Sequence, residues 1–542
     1  MARERDIDFA DRMSEHEALM WNIEKDPWLN PSGASLTLLD VPVDPERFRR
    51  QVRHGAAKLP RLYQRVVPGF GRISTPAWVP DAEFDLDFHL REVELPAPGT
   101  DRQLFDLAAQ LYSEPLDRTR PLWRFVLISG LEGGKGAIWS IFHHAISDGI
   151  GQIRMAELYQ QFSRDEADHP EVDLEGLVAE AVANHAAKES GGDQATSLLD
   201  TATRSFGHIA RRQIGLGRRA LGEVALWPAD PDRASEKVTN VIDVTRSTIA
   251  QLNGSANETP GGSPLWAERS RHRHLETLSL PLDDLKAAAK SQGASVNDAF
   301  MAGLIDGAVR YHAKRKVTVD KFNTSFVVST RSDNKIGGNS FTPVLVQVDG
   351  VPATPKQRLK AVHAATEQAR EKASRGGSVS SLSGIANLLP TSVITKTARN
   401  QAARIDFATS NLRGAPFELF CAGGKVEATF PLGPLAGTAA NITALSYNGS
   451  LDLGLFIDPV AIEDPADYRN CVEEAFAELL TLAKPPKKKP TRKKAAKKKP
   501  AKARSKAKTP KKKPAKKAAA KKKPAKKAAA KKAAVKKAAS AS

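Results

Sequence analysis

Gly136-Ala137-Ile138-Trp139-Ser140-Ile141-Phe142, running straight into His143-His144-Ala145-Ile146-Ser147-Asp148-Gly149, is the passage from which the fold is read. The first seven residues are apolar with a β-branched and aromatic bias, which predicts a strand. Asp148-Gly149 punctuates the chain, and Ile150, Ile153, Met155, Leu158 and Phe162 then recur at roughly helical spacing. The passage is a strand, a turn and a helix, with two imidazoles where the strand ends. Side chains alternate across a strand, so one ring can face a cleft while the other packs. Asp148 is close enough to brace the turn or the ring, and Gly149 lets another group approach the backbone closely. A bare His-His pair also occurs as a hydrogen-bonded core pair. A metal site would need a second His/Cys/Asp cluster at ligand spacing, and the sequence offers none.

Working outward, Trp123–Ser129 reads as a second strand, and the Gly-rich 130–135 joins the two as a hairpin. Residues 34–39 (ASLTLL) predict a strand. Residues 45–59 carry Phe48, Val52, Ala56 and Leu59 at helical spacing, and 104–111 predict a further helix. These elements form a first domain, 1–163. Residues 164–271 are a long, weakly patterned connector ending in the loop-like 253–264. Within it, 204–227 places Phe206, Ile209, Leu216 and Trp227 on one helical face and Arg204, Arg211, Arg212 and Arg218 on the other. Such a helix either lies on an anionic membrane surface or packs between domains with its arginines solvated. Glycines at 207, 215, 217 and 222 work against its being one continuous helix.

The second domain, 272–483, opens with LSLPL at 278–282 and predicts helices over 283–291, 297–312 and 471–482. Strands are predicted at 325–329, 344–348, 443–447 and 451–457. The last two are joined by Asn448-Gly449, the dipeptide favoured in a type I′ turn. Strands mixed with helices, without strict βαβ alternation, give a mixed α/β (α+β) fold rather than a doubly wound one.

The net charge of +19 over 542 residues misrepresents the folded body. Residues 484–542 hold 28 Lys and Arg and no acid, so without them residues 1–483 stand at −9. This Lys/Ala/Pro tail, with KKKPAKKAAA at 511–520 and again at 521–530, cannot bury a core and is expected to be disordered. It resembles the lysine-rich tails of linker histones. Binding of a polyanion is expected of it, either nonspecific nucleic acid or an anionic lipid surface, because it lacks interleaved aromatics for stacking. It could equally serve to solvate and counter the acidic body. Two cysteines, Cys421 and Cys471, form no disulfide framework or zinc spacing, which points to a reducing, cytoplasmic setting. The N-terminus lacks the apolar core of a signal peptide. The longest uncharged stretch, 376–395, is rich in Ser and Gly and contains Pro390, so it does not read as a membrane span. Its 376–390 part would wall a channel or form a surface loop. Any membrane contact is expected to be peripheral, on the inner membrane or on lipid droplets. GxSxG and Walker motifs are absent, which argues against lipase-type hydrolysis and nucleotide hydrolysis.

HHxxxDG in a strand-turn-helix setting resembles the active-site motif of the coenzyme A-dependent acyltransferase superfamily. Further segments stand in order around it: Pro121-Leu122-Trp123, Val296-Asn297-Asp298, Ser329-Thr330-Arg331 followed by Gly338-Asn339, and Ser410-Asn411-Leu412-Arg413-Gly414 before Ser446-Tyr447-Asn448-Gly449. Together they resemble the bacterial wax ester synthase/diacylglycerol acyltransferases over roughly residues 13–482, and the opening HEALMWNIEKDPWLNPSG is similar to actinobacterial members. That resemblance implies two sandwich-like domains with a channel between them and His144 at their interface. His144 would be the general base that takes a proton from an acceptor hydroxyl attacking a thioester. A neutral imidazole, with a pKa of about 6.5, suits the task. His143 would be secondary, and Asp148 a structural support, usually through an arginine. Gly149, Asn297 and Asp298 would contact substrate, although an Asx cap of the following helix also explains Asn297 and Asp298. Trp123 is either core packing or a substrate contact. The implied substrates are long-chain acyl-CoA and a diacylglycerol or fatty alcohol, with no cofactor and no metal. Two other readings share the motif: a condensing acyltransferase fed by a carrier protein, and a weakly active body that tethers neutral-lipid bodies through its tail. The sequence departs from the family pattern at Ser14-Glu15-His16-Glu17, where Ser-x-x-Asp is usual. It departs again at Val327-Val328-Ser329-Thr330-Arg331, where a Pro-Val-Ser-Leu-Arg-like strand end is usual.

Overall fold

Fourteen strands and the helices around them are built by residues 9–69, 74–190, 262–329, 341–375, 387 and 390–483, which the computed structural model describes. In chain order the strands are β1 (Ser32–Leu39), β2 (Gln64–Val67), β3 (Ala77–Pro80), β4 (Leu90–Glu94), β5 (Trp123–Ser129), β6 (Gly136–His143) and β7 (His274–Pro281). They continue with β8 (Lys321–Ser329), β9 (Phe341–Asp349), β10 (Phe407–Arg413), β11 (Phe420–Cys421), β12 (Gly424–Leu432), β13 (Ala440–Tyr447) and β14 (Ser450–Ile457). Two six-stranded sheets result, ordered β11-β12-β1-β6-β5-β4 and β7-β14-β13-β10-β8-β9, beside a small β2-β3 pair. The tail, the 204–227 segment, Thr330 to Asn339 and most of 376–390 lie outside the described residues.

The predicted elements reappear with small changes of boundary. The β5-β6 hairpin forms as expected, and the β13-β14 turn puts Asn448 at φ 42° and Gly449 at φ 85°, the left-handed pair a type I′ turn requires. Part of the connector is a helix, Leu174–Ser190. β11 and β12 were not predicted. They belong to the 272–483 stretch but pair with the first sheet, β12 lying antiparallel to β1 from Ala34↔Leu432 onward. The chain therefore crosses back, and the described residues all fall within one compact unit.

Alternation divides each sheet into a packing face and an inner face. In the first sheet Leu36, Trp139 and Ile141 are fully buried in a core shared with Phe48 and Leu104. Burying each such side chain stabilises by roughly 1.5–3 kcal/mol. The second sheet packs Phe326, Phe407 and Ile442 in a separate core with the Val296–Lys314 and Pro465–Leu480 helices. The two halves also meet at the Asp101–Ser113 helix. Its Arg102 bonds Glu276 of β7 at 2.8 Å, and its Tyr112 packs edge-on against Phe456 of β14.

Candidate active site

His143 ends β6 opposite Ser32 and is wholly buried, whereas His144 takes the other direction and lines a cavity, as strand alternation demands. His143 accepts the N–H of Ala145 at Nδ1 (2.9 Å), so its proton sits on Nε2, which faces Glu24 Oε2 at 3.4 Å. Glu24 also pairs with Arg118. Arg118 bonds the carbonyl of Trp21 (2.9 Å) and lies 3.4 Å over its ring, and the edge of Trp21 meets His143. Burial works to raise the Glu24 pKa, but the facing His143 ring and the paired Arg118 outweigh it and hold the carboxyl below the ordinary value. The turn that presents His144 is thus fixed from behind by a closed set of charge and aromatic contacts.

Asp148 is the N-cap of the Gly149–Ala156 helix, accepting the Gly151 N–H at 2.8 Å. It braces the turn and lines the cavity with His144. Burial first, then the neighbouring His143, lowers the His144 pKa to about 4, although Asp148 and a backbone hydrogen bond at Ser147 oppose this. His144 is therefore a neutral imidazole at physiological pH. His16 stands nearby, its own pKa lowered by burial against the pull of Asp148. A Cβ built on Gly33 of β1 would lie 3.3 Å from His144 Nε2 and 3.8 Å from the Gln152 amide. The missing side chain of Gly33 is the open space in front of the ring. Gly149 plays a different part: a Cβ there would stand 3.1 Å from Leu412, so the glycine lets the second sheet close onto the turn.

The cavity has a volume of about 480 Å³ and lies between the inner faces of the two sheets. From the first sheet come Ile138, Ser140 and Phe142, alternate residues leading up β6 to His144, with Gly33, Ser35 and Thr37 paired beside them on β1. From the second sheet come Ser325, Val327, Ser410, Leu412, Thr443 and Leu445. The second sheet forks here. β8 pairs with β10 only as far as Phe326↔Thr409, whereas β13 follows β10 to Arg413↔Ser446. A mostly apolar cavity with a neutral base at one end suits proton removal from a hydroxyl attached to a long apolar chain.

Two expected substrate contacts are not brought here. Asp298 is fully buried but sits third in a capping box with Ser295, and it accepts from Thr366 (2.7 Å) and His363 (2.9 Å). Asn297 reaches Met301 on its own helix, and neither residue lines the cavity. Their carboxylate and amide are used to start and anchor the Val296–Lys314 helix, with Ser295 rather than an Asx residue as the cap. Trp123 is core packing. Its Nε1 donates to the Leu62 carbonyl (2.7 Å) and its ring stacks on His89. Gly33, Gln152, Glu24 and Asn411 were missed. Only Asn411 carried a signal, through the Ser410-Asn411-Leu412-Arg413-Gly414 stretch. Among the described residues no group of three or more His, Cys, Asp or Glu is placed to hold a metal, and no helix is long and apolar enough to cross a membrane.

Compared with known families, residues 13–300 match the wax ester synthase/diacylglycerol acyltransferase catalytic domain, and residues 337–480 match the C-terminal domain of the same enzymes. The chain belongs to this acyltransferase family. Within it, the chain is 29% identical over 479 residues to a putative diacylglycerol O-acyltransferase of Mycobacterium tuberculosis, covering 88% of this chain and 92% of that one. A probable diacylglycerol O-acyltransferase of the same organism is 26% identical, covering 85% and 93%. The fold matches the wax ester synthase/diacylglycerol acyltransferase of Marinobacter aquaeolei with a TM-score of 0.56 at 19% identity, over 87% of this chain and 99% of that one. The first condensation domain of the calcium-dependent antibiotic synthetase shares the fold at a TM-score of 0.50 and 16% identity, over 88% and 97%.

Proposed function

We propose that this acyltransferase moves a long-chain acyl group from acyl-CoA to the free hydroxyl of a diacylglycerol or a fatty alcohol, with His144 as the general base. The observation that carries the proposal is a neutral imidazole that lines a mostly apolar cavity, its Nε2 beside the bare Gly33. His144 takes the hydroxyl proton as the oxygen attacks the thioester carbonyl. The tetrahedral intermediate then collapses, the C–S bond breaks, and the imidazolium returns the proton to the departing thiolate. No covalent enzyme intermediate is needed. Asp148 holds the turn, and His143 with Glu24 and Arg118 holds the strand end behind it. The deciding assay offers purified protein palmitoyl-CoA with dioleoylglycerol or hexadecanol, beside His144→Ala. Ester formed by the native chain and lost in the variant supports the reading, and ester formation that persists in the variant sinks the role of His144.

Two further features bear on where the enzyme works. Phe162 and Phe417 are 71% and 47% exposed with ring centroids 5.7 Å apart, close in sequence to the cavity-lining Gln160 and Leu419. An exposed aromatic pair of this kind suits peripheral contact with a membrane or lipid-droplet surface. The tail supplies the polyanion affinity, toward anionic lipid or nucleic acid, and its deletion is expected to leave transfer intact while abolishing salt-sensitive binding to anionic vesicles or DNA.

A further inference from the structure

The inner face of the first sheet is not uniformly apolar. Going down β1 from Gly33, the next two cavity-facing residues are Ser35 and Thr37. Ser35 is paired across the ladder with Ser140, and their hydroxyls are 2.8 Å apart. Thr37 is paired on its other side with Thr429 of β12, hydroxyls 3.2 Å apart. All four residues line the cavity. When two hydroxyls bond each other, only one proton is used, so each pair keeps one O–H with nothing to donate to. Among the described residues neither pair has another side-chain partner. Two unspent donors therefore face a mostly apolar space, where an unmet donor is costly.

Their spacing from the base is set by the strand. Ser35 stands two residue steps along β1 from Gly33, about 7 Å, and Thr37 two steps farther. An acceptor whose hydroxyl sits at His144 has its neighbouring atoms beside Ser35 and Ser140. In a fatty alcohol those atoms are methylenes, which leave both donors unmet. In a diacylglycerol the ester carbonyls hang a few single bonds of about 1.5 Å from the free hydroxyl, within that reach. We infer that the Ser35–Ser140 pair, backed by Thr37–Thr429, is a carbonyl-binding strip that favours a glyceride over a plain long-chain alcohol as acyl acceptor. A site built to hydrogen-bond a polar group discriminates strongly against an analogue that lacks it. The inference rests on the acyltransferase reading above and names its acceptor.

The test is competition between dioleoylglycerol and hexadecanol for palmitoyl-CoA, using the native full chain, Ser35→Ala/Ser140→Ala, and Ser140→Thr as the variant that keeps a hydroxyl. Thermal unfolding of each variant confirms that the sheet is intact. The native chain is expected to prefer the glyceride. The double variant should lose about tenfold in kcat/KM for dioleoylglycerol, with hexadecanol unchanged or improved, and Ser140→Thr should retain the preference. A native chain that makes both esters, with a ratio the double variant does not move, overturns the inference and leaves the acyltransferase reading standing. A KM for palmitoyl-CoA that rises equally with either acceptor also overturns it, since the hydroxyls would then be holding the amides of the donor's pantetheine arm. No ester from the native chain with either acceptor overturns both.

Discussion

His144 and His312 stand in the two halves of the molecule, and burial lowers both pKa values to about 4. On composition alone His312 has the better claim to chemistry. Its Nε2 is 2.5 Å from the hydroxyl of Ser263, and Asp406 lies beside that serine with its pKa raised by burial to about 6. Yet both ring nitrogens are engaged, Nδ1 with the Ala308 carbonyl at 2.7 Å, and Asp406 accepts the backbone N–H groups of Ser263 and Asn323 rather than touching the ring. Trp266 and Phe322 both meet the imidazole edge-on, with the serine and histidine both buried. That set fastens residues 263–266 to the second core. His144 instead lines a cavity. The presence of space, not of a particular trio of residues, separates a site from a structural knot.

The sharpest way to break this comparison is to remove each ring. His144→Ala is expected to lower transfer by about 10²–10⁴-fold with little change in unfolding temperature. His312→Ala should leave kcat/KM near native while costing about 1–3 kcal/mol of stability through the stranded Ser263 hydroxyl. Activity assays and thermal melts on both variants read the two columns. Loss of activity from His312→Ala without loss of stability would undo the distinction. Filling the space rather than removing the base comes next: Gly33→Val is expected to cost about 100-fold in kcat/KM because the acceptor oxygen can no longer reach Nε2, with palmitoyl-CoA binding retained.

Smaller effects refine the picture. Glu24→Gln keeps the shape behind the turn but removes the charge facing His143 and Arg118. A drop of about tenfold in kcat, with acyl-CoA binding unchanged, is expected if the pair positions the turn. The pH dependence differs between activity and stability. Under the proposed mechanism His144 must be neutral, so the acidic limb of kcat/KM should fall near pH 4 instead of the ordinary imidazole value of about 6.5. For stability, His144 and His312 titrate at lower pH folded than unfolded, so the unfolded chain binds more protons between pH 4 and about 6.5. Their contribution is complete above that window and is lost as pH falls through it, which a melt series over pH 4–7 would show.

Much of this was readable from local pattern, and the failures share a cause. Asn448-Gly449 and the β6 run ending in two histidines announced a turn and a site because the signal lies within a few neighbouring residues. β10 went unpredicted because its inner face carries Ser410 and Leu412 into a cavity, which spoils the alternation that marks a half-buried strand. β12, GKVEATFPL, is polar enough to pass for a loop until β1 and β13 are placed beside it. Gly33 and Glu24 come from segments that only the fold brings to the histidine pair, so no spacing could have joined them, whereas Gln152 stands on the helix just after the turn and was simply passed over. Asn297 and Asp298 were overread in the other direction. Ser295-Val296-Asn297-Asp298 is itself a capping-box pattern, and that local explanation accounts for the carboxylate.

The insertion of β12 beside β1, matching Leu36 with Phe430, also governs how the enzyme comes into being. A chain emerging from the ribosome presents β1 and β6 early, but one edge of β1 remains a bare row of amide and carbonyl groups until Leu432 has been synthesised. That edge is a template for the wrong partner, so nascent protein needs either shelter or speed. Premature termination anywhere before β12 leaves the histidines in place without the neighbour that walls their cavity. Fragments split between the halves should regain activity only when expressed together, by mutual complementation.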